Sequence, residues 1–244
     1  MEEPTGKPLS ISEAAQYLGV STATLRRWHN VGSFMATFVS PGGHRYYSRA
    51  DLDKKTKGIF RLAKEWASAK EPFLPEEEFY CGTSDRFKTR HERMAHEIDT
   101  HASWKNIGSL LSSAAGEIGN NSFDHNLGNW PDVPGAFFAY DLGKRVIVLA
   151  DRGVGILATL RLIRPKLRSD EEALRVAFTE IVTSRATEHR GNGLKFVKEA
   201  LMHAGADLTF QTGDAVLEIR KGRSGFTIKK ADDPIRGCTS LIKF

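Results

Sequence analysis

The sequence predicts an α+β protein made of two domains. Helical patterns predominate up to about residue 125, strand-like runs follow from residue 136, and an acidic stretch with two prolines interrupts the helices at 71–78. Helices followed by strands are typical of α+β folds. A length of 244 residues allows one large domain or two unequal domains, and the interruption favours two.

Composition excludes several classes of protein. The chain is 40% hydrophobic and 27% charged, which is ordinary for a globular protein and unlike a disordered or fibrous one. No apolar run approaches the roughly 18 residues that cross a bilayer, and the polar start MEEPTGKPLS is unlike a signal peptide. Cys81 and Cys238 form neither a disulfide framework nor a CxxC pair. We therefore expect a cytoplasmic protein without structural zinc and without a membrane partner.

The first 70 residues predict two short helices, a hairpin and a longer helix. Ser12 and Glu13 supply a cap and an acid to the first helix, which ends at Gly19. The second helix begins at Ser21 and runs towards Gly32, at a spacing typical of a helix-turn-helix. The remaining elements are hairpin strands at 34–39 and 45–47, and a helix over 48–69.

Positive charge is concentrated between residues 21 and 60, where seven basic and two acidic residues give a net charge of +5. Such a local basic surface suits nucleic-acid phosphates, and a solvated basic face would have the same charge. Leu25 and Trp28 are predicted to face the first helix as core. The candidate DNA contacts are Ser21, Thr22, Arg26 and Arg27 on the second helix, with His44 and Arg45 at the hairpin tip. For His44, the sequence is equally compatible with a structural role and with a DNA contact.

The segments SISEAAQYLGVSTATLRRW and SPGGHRYYSRADL together resemble the winged helix-turn-helix of the MerR and excisionase type, over about residues 8–58. The resemblance implies a domain over 8–70 that binds double-stranded DNA as a homodimer, through Arg26, Arg27 and the wing around Arg45. A linker follows at 71–80. Regulators of that class continue with a long dimerising helix, whereas this chain continues with a second domain.

The second domain is predicted to span residues 81–244. Helices are predicted at 83–98, 104–125 and 193–203, with mixed and helical structure at 156–190. Strands are predicted at 136–140, 146–150, 208–211, 216–220, 225–229 and 239–244.

A polar stripe marks the second of these helices. Glu117, Asn121 and His125 are four residues apart, so their side chains emerge on one face. A carboxylate can act as a general base, and an amide oxygen can bind Mg²⁺. Taken alone, this pattern is also typical of a solvated helix face.

Two glycine-containing motifs follow. In ADRGVGI, Asp151 ends an apolar strand, where it can accept a hydrogen bond from an exocyclic amine beside a tight turn. In RGNGL, two glycines precede a helix, whose free amides and dipole favour a phosphate. Each motif alone is a common turn, and their order and spacing make the set informative.

The series EIGNNSFDHN, ADRGVGI, RGNGL and GCTSLIKF resembles the GHKL ATP-binding fold, over roughly residues 80–244. The resemblance implies a two-layer α/β sandwich with a mixed sheet, and ATP and Mg²⁺ as cofactors. It implies Glu117 as catalytic base, Asn121 as Mg²⁺ ligand and Asp151 as adenine acceptor. It further implies Gly153 and Gly155 beside the base, Gly191 and Gly193 in the phosphate loop, Thr239 near the adenine, and residues 157–190 as a lid. Many members have GLGL where this chain has GNGL.

The phosphoryl chemistry has more than one interpretation. MAHEI around His96 looks like a phosphoacceptor box, but only 21 residues separate His96 from Glu117, too few for the usual two-helix hairpin. The carboxylate of Glu117 favours ATP hydrolysis or transfer to a partner's serine, and no Walker A sequence is present. The sequence therefore predicts a DNA-binding regulator that hydrolyses ATP or is switched by it. The alternatives are a protein serine kinase of the anti-sigma-factor type and a nucleotide-binding scaffold without turnover.

Overall fold

The structure, a computed structural model, describes residues 8–180 and 193–244. Contacts within the chain group its residues into two units, one of residues 8–61 with 140–145 and one of residues 62–139 with 146–244. Within the described ranges, no helix has both the length and the apolar character that crossing a membrane requires.

The first unit contains the two predicted short helices and the predicted hairpin. Its elements are β1 (Leu9–Ser10), α1 (Ile11–Leu18), α2 (Thr22–Asn30), β2 (Phe38–Val39), β3 (Arg45–Tyr47) and the first part of α3 (Arg49–Ser68). β1 was not predicted; it pairs with β3 in a three-stranded sheet of order β1-β3-β2. Two residues are too few to show the alternation that marks a strand.

The predicted strand at 34–39 is shortened to its last two residues, because the preceding residues bond to α2 instead. The amide of Phe34 donates to the carbonyl of Trp28 at 3.2 Å. The amide of Ala36 donates to Nδ1 of His29 at 3.0 Å. The ring of Phe34 also stacks on Tyr47, with centroids 5.4 Å apart.

Side-chain caps define the ends of the short helices. Ser10 rather than Ser12 caps α1: Ser10 Oγ accepts from the Glu13 amide at 3.3 Å, and Glu13 Oε2 accepts from the Ser10 amide at 2.7 Å. This reciprocal box needs a spacing of three residues, which Ser12 lacks. Gly19 ends α1 in the left-handed region with φ 68°, as predicted. Ser21 caps α2 by accepting from the Thr24 amide at 3.0 Å.

The core of this unit lies between the helices and the sheet. Leu25 and Trp28 are 0% and 4% exposed, so their prediction as core residues is confirmed. They join Ala14, Ala15, Leu18, Tyr47 and Leu52 in one buried cluster.

The second unit combines the remaining helices with a seven-stranded sheet. The elements that follow α3 are β4 (Tyr80–Cys81), α4 (Ser84–Thr100), a 3-10 turn (Ala102–Trp104), α5 (Gly108–Asp124), β5 (Ala136–Asp141), β6 (Val146–Asp151), α6 (Gly155–Arg161), α7 (Asp170–Thr179), α8 (Gly193–Ala204), β7 (Asp207–Thr212), β8 (Ala215–Ile219), β9 (Thr227–Lys230) and β10 (Cys238–Lys243). The short β4 was not predicted. The helix expected to begin at Trp104 begins at Gly108, because Trp104 ends the 3-10 turn.

The sheet has the strand order β4-β5-β6-β10-β7-β8-β9. β10 is antiparallel to both of its neighbours, and the β4–β5, β7–β8 and β8–β9 pairs are antiparallel too. Only residues 142–145 join β5 to β6, and a parallel connection needs a dozen residues or more. The described strands therefore form an antiparallel sheet, and the prediction of a mixed sheet is wrong. β6 and β7 do run in the same direction, but β10 lies between them.

Helix α5 is the central helix of this unit and contacts α4, α8 and β6. Its glycines allow α4 to approach closely. A Cβ at Gly116 would lie 3.1 Å from the ring of His91, and one at Gly119 would overlap the ring of Phe87. The close approach leaves the other sides of α5 for α8 and the sheet, where the predicted functional residues lie.

Candidate functional site

The start of α8 lies beside the polar stripe of α5. Glu117 and Asn121 are both half-buried. A Cβ at Gly193 would lie 2.8 Å from Glu117 Oε2 and 3.3 Å from Asn121 Nδ2. The fold therefore brings together three predicted residues from two separate motifs. His125 follows the last residue of α5 and is exposed.

Asp151 ends β6 as a buried carboxylate, 4% exposed. Its Oδ2 accepts from Ser122 Oγ at 3.0 Å, and its Oδ1 accepts from the Gly153 amide at 2.9 Å. Burial raises the pKa of Asp151 to about 6, while hydrogen bonds from Gly153, Ser122 and the Cys238 backbone oppose that rise. The carboxyl group is thus oriented by its neighbours in a place that disfavours its charge.

Two glycines lie in the turns next to this carboxylate. Gly155 begins α6 with φ +79°, a conformation that favours glycine. A Cβ at Gly237 would overlap the backbone and side chain of Asp151. The turn before β10 therefore approaches Asp151 more closely than a residue with a side chain at position 237 would allow.

Thr239 lies one residue along β10 from Cys238 and opposite Ala150 of β6. Its side chain is 1% exposed, and Thr239 Oγ1 has no hydrogen-bond partner within the described part of the chain. Successive side chains of a strand point to opposite faces of the sheet. Because Cys238 is the residue opposite Asp151, Thr239 projects from the other face of the sheet.

Three side chains near Asp151 were not predicted as part of the site. Ser122 lies next to Asn121 in the motif EIGNNSFDHN, and Asn126 is its last residue. Both are buried, at 5% and 4% exposure. Arg152, which directly follows Asp151, is fully buried, and its NH2 pairs with Asp132 Oδ2 at 2.7 Å. The sequence held a partial signal for two of them: Ser122 and Asn126 are four residues apart around the end of α5, a spacing that places both side chains on one face.

Part of the predicted nucleotide site lies outside the described residues. Gly191 and residues 181–190 of the predicted lid belong to that part. The described part of the lid, residues 157–180, contains most of α6 and all of α7.

The predicted DNA contacts lie on α2 and the hairpin of the first unit. Arg26, Arg27 and His44 are exposed, and Thr22 is half-exposed. Ser21 Oγ is engaged in capping α2. Arg45 is half-buried, and its NH2 donates to Asn30 Oδ1 at 3.3 Å. The helix and the hairpin tip therefore present basic side chains to solvent, with Arg45 held close to the end of α2.

Comparison with known proteins adds information on the first unit. Residues 8–54 match the family model of a helix-turn-helix domain. A search of curated proteins gives no match for the chain. The matched residues contain α1, α2 and the hairpin, so the N-terminal unit of this protein carries a helix-turn-helix domain.

Proposed function

We propose that residues 81–244 bind ATP with Mg²⁺ and that residues 8–70 bind double-stranded DNA, so that the chain is a DNA-binding regulator which hydrolyses ATP or is switched by it. The observation that carries the nucleotide half is the Asp151 carboxylate, which is buried at the end of β6 and oriented by Ser122 and the Gly153 amide. A carboxylate held in one orientation has further lone pairs that can accept hydrogen bonds from a ligand.

Asp151 would hold the adenine end of the nucleotide. An ionised carboxylate accepts hydrogen bonds only, so it suits an exocyclic amine. Gly153 and Gly155 would let the backbone turn tightly beside a flat base. The hydrogen bonds from Ser122 and Gly153 keep the carboxylate in a fixed orientation before the ligand arrives.

Glu117, Asn121 and Gly193 would hold the phosphate end. The amides at the start of α8 favour a phosphate because they lack partners within the helix. Among the described residues, no group of three or more His, Cys, Asp or Glu side chains forms a metal site. Mg²⁺ at a nucleotide takes few protein oxygens, with phosphate and water oxygens for the rest, so the amide oxygen of Asn121 beside a carboxylate fits this ion.

Glu117 would act as the general base. Bound Mg²⁺ would supply charge neutralisation at the phosphates. The Glu117 carboxylate would orient an attacking oxygen and accept its proton. Because Glu117 is half-buried, either a water or the serine hydroxyl of a partner protein could reach it. Hydrolysis and transfer to a partner are thus the two outcomes that this base supports.

The helix-turn-helix match and the exposed basic side chains of α2 support the DNA half of the proposal. In helix-turn-helix proteins the second helix enters the major groove, while flanking groups contact phosphates. Arg26 and Arg27 on α2, with Arg45 near the hairpin tip, would supply those contacts.

Calorimetry with ATP and Mg²⁺ tests the nucleotide half, using the parent protein and the variant Asp151→Asn. Losing a hydrogen bond to a charged acceptor, worth about 1.5–3 kcal/mol, should weaken ATP binding roughly 10- to 150-fold. The same change at the exposed Asp232 should leave the affinity unchanged. Equal affinity in the parent and in Asp151→Asn would overturn the adenine assignment.

Phosphate release by the parent protein, measured with and without DNA, tests turnover. Release shows hydrolysis, and phosphorylation of an added partner protein without release shows the kinase alternative. ATP binding without either reaction shows a scaffold.

A further inference from the structure

Asn126 lies just after α5 and contacts the turn that follows β6. Its side chain is buried, and both ends of its amide are used. Asn126 Nδ2 donates to the Ser122 carbonyl at 2.8 Å, and Asn126 Oδ1 accepts from the Val154 amide at 2.9 Å. The amide therefore has one orientation that satisfies both partners.

These contacts continue to Asp151. Ser122, whose carbonyl accepts from Asn126, donates through its own hydroxyl to Asp151 Oδ2. Gly153, whose amide donates to Asp151 Oδ1, lies so close to Asn126 that a Cβ at this glycine would overlap the Asn126 amide. Both carboxylate oxygens of Asp151 are thus held by residues that Asn126 touches.

We propose that Asn126 is a positioning residue for nucleotide recognition, which fixes the 153–154 turn against α5 so that Asp151 keeps the orientation an adenine amine requires. The inference rests on the proposed ATP site and assigns a residue to it that acts only through others. Asparagine suits this position because its short amide supplies one donor and one acceptor at the same side chain.

The test uses Asn126→Asp in the full chain. An aspartate keeps the size and can still accept from the Val154 amide, but it cannot donate to the Ser122 carbonyl. The readout is the ratio of the dissociation constants of inosine triphosphate and ATP, because inosine has a carbonyl where adenine has the amine that Asp151 would bind. We expect the preference for ATP to fall roughly tenfold, the effect of losing one well-oriented hydrogen bond.

The matched control is Asn129→Asp, the same change at an exposed residue three positions later. It should leave the ratio unchanged. A second variant, Asn126→Ser, removes the amide without adding a charge and should also lower the ratio. Thermal unfolding of each variant, measured without ligand, separates loss of folding from loss of selectivity.

The outcomes are distinguishable. A parent protein that does not bind ATP overturns the proposed function itself. A parent that prefers ATP, with an unchanged ratio in both Asn126 variants, overturns this inference and leaves the function standing. Failure of both variants to fold also overturns it, because Asn126 would then serve the fold rather than the orientation of Asp151.

Discussion

The guanidinium of Arg152 and the carboxylate of Asp132 form an ion pair in which the arginine has no exposed surface. Arg152 Nη2 lies 2.7 Å from Asp132 Oδ2, and Arg152 Nε lies 3.1 Å from Asp132 Oδ1. Arg152 NH1 also donates to the carbonyl of Trp66 near the end of α3. The hydrogen bonds from Arg152 lower the pKa of Asp132. Arg152 therefore joins the turn after β6 both to the loop that contains Asp132 and to the last residues of α3.

Replacing Arg152 with methionine should strongly destabilise the second unit. The variant keeps a long side chain but removes the Arg152 donors from the Asp132 carboxylate and from the Trp66 carbonyl. Breaking a buried pair from one side costs about 3–5 kcal/mol in unfolding free energy. Urea denaturation of the parent and the variant measures this loss.

Arg236→Met is the matched control for Arg152. Arg236 Nε lies 3.6 Å from Asp132 Oδ2, and the Arg236 side chain is 46% exposed. An exposed pair of this kind contributes at most about 1 kcal/mol. Equal losses in the two variants would show that burial of Arg152 is not what makes the pair important.

Asp151 should make stability depend on pH in the direction opposite to a salt-bridged carboxylate. Its pKa is about 6 in the folded protein against an ordinary 3.8, so the folded state holds the proton more tightly than the unfolded state. Stability from this group is therefore full below about pH 4 and falls as the pH rises to about 6. A shift of this size corresponds to about 3 kcal/mol.

Urea denaturation between pH 4 and pH 7 checks this sign. The difference in unfolding free energy between Asp151→Asn and the parent should grow in favour of the variant as the pH rises. A difference that stays constant across this range would contradict the raised pKa.

Glu117→Gln should separate nucleotide binding from chemistry. The amide keeps the shape but cannot accept a proton, and a positioned general base contributes typically 10²–10⁴-fold to the rate. ATP affinity should stay unchanged, because the proposed contacts of Asp151 with adenine and of Asn121 with Mg²⁺ do not involve Glu117. Single-turnover hydrolysis run beside equilibrium binding measures the two effects.

Asn121→Ala serves as the comparison for Glu117→Gln. Loss of a Mg²⁺ ligand should lower both affinity and turnover. Full turnover in Glu117→Gln would refute the assignment of Glu117 as base.

Arg26→Ala should weaken DNA binding and reduce its salt dependence. Each lost phosphate contact lowers the slope of log affinity against log salt by about 0.9. Arg45→Ala should act in the same direction, with the hydrogen bond to Asn30 also lost. Titration of double-stranded DNA at two salt concentrations measures the slope.

Arg223→Ala removes the same charge from an exposed residue in the turn between β8 and β9, and should leave the slope unchanged. If all three variants behave alike, net charge rather than the helix and wing accounts for DNA binding.

Local patterns in the sequence determined most elements and several site residues. Spacing alone located α1, α2, the burial of Leu25 and Trp28, and the strands from β5 onward to within about three residues. It also placed Asp151 at the end of a strand and Glu117 and Asn121 on one helix face. These features depend on residues that are near each other in the chain, so a period of two or of 3.6 residues reveals them.

Long-range contacts decided the rest. The two-residue strands β1 and β4 exist because a partner strand accepts them, and the place of β10 between β6 and β7 depends on the whole sheet. The bond from Ser122 to Asp151, the bond from the Val154 amide to Asn126 and the ion pair of Arg152 with Asp132 join residues distant in sequence. A polar residue in a sequence looks the same whether it is solvated or buried, and only the packing around it supplies the partner that fixes its role.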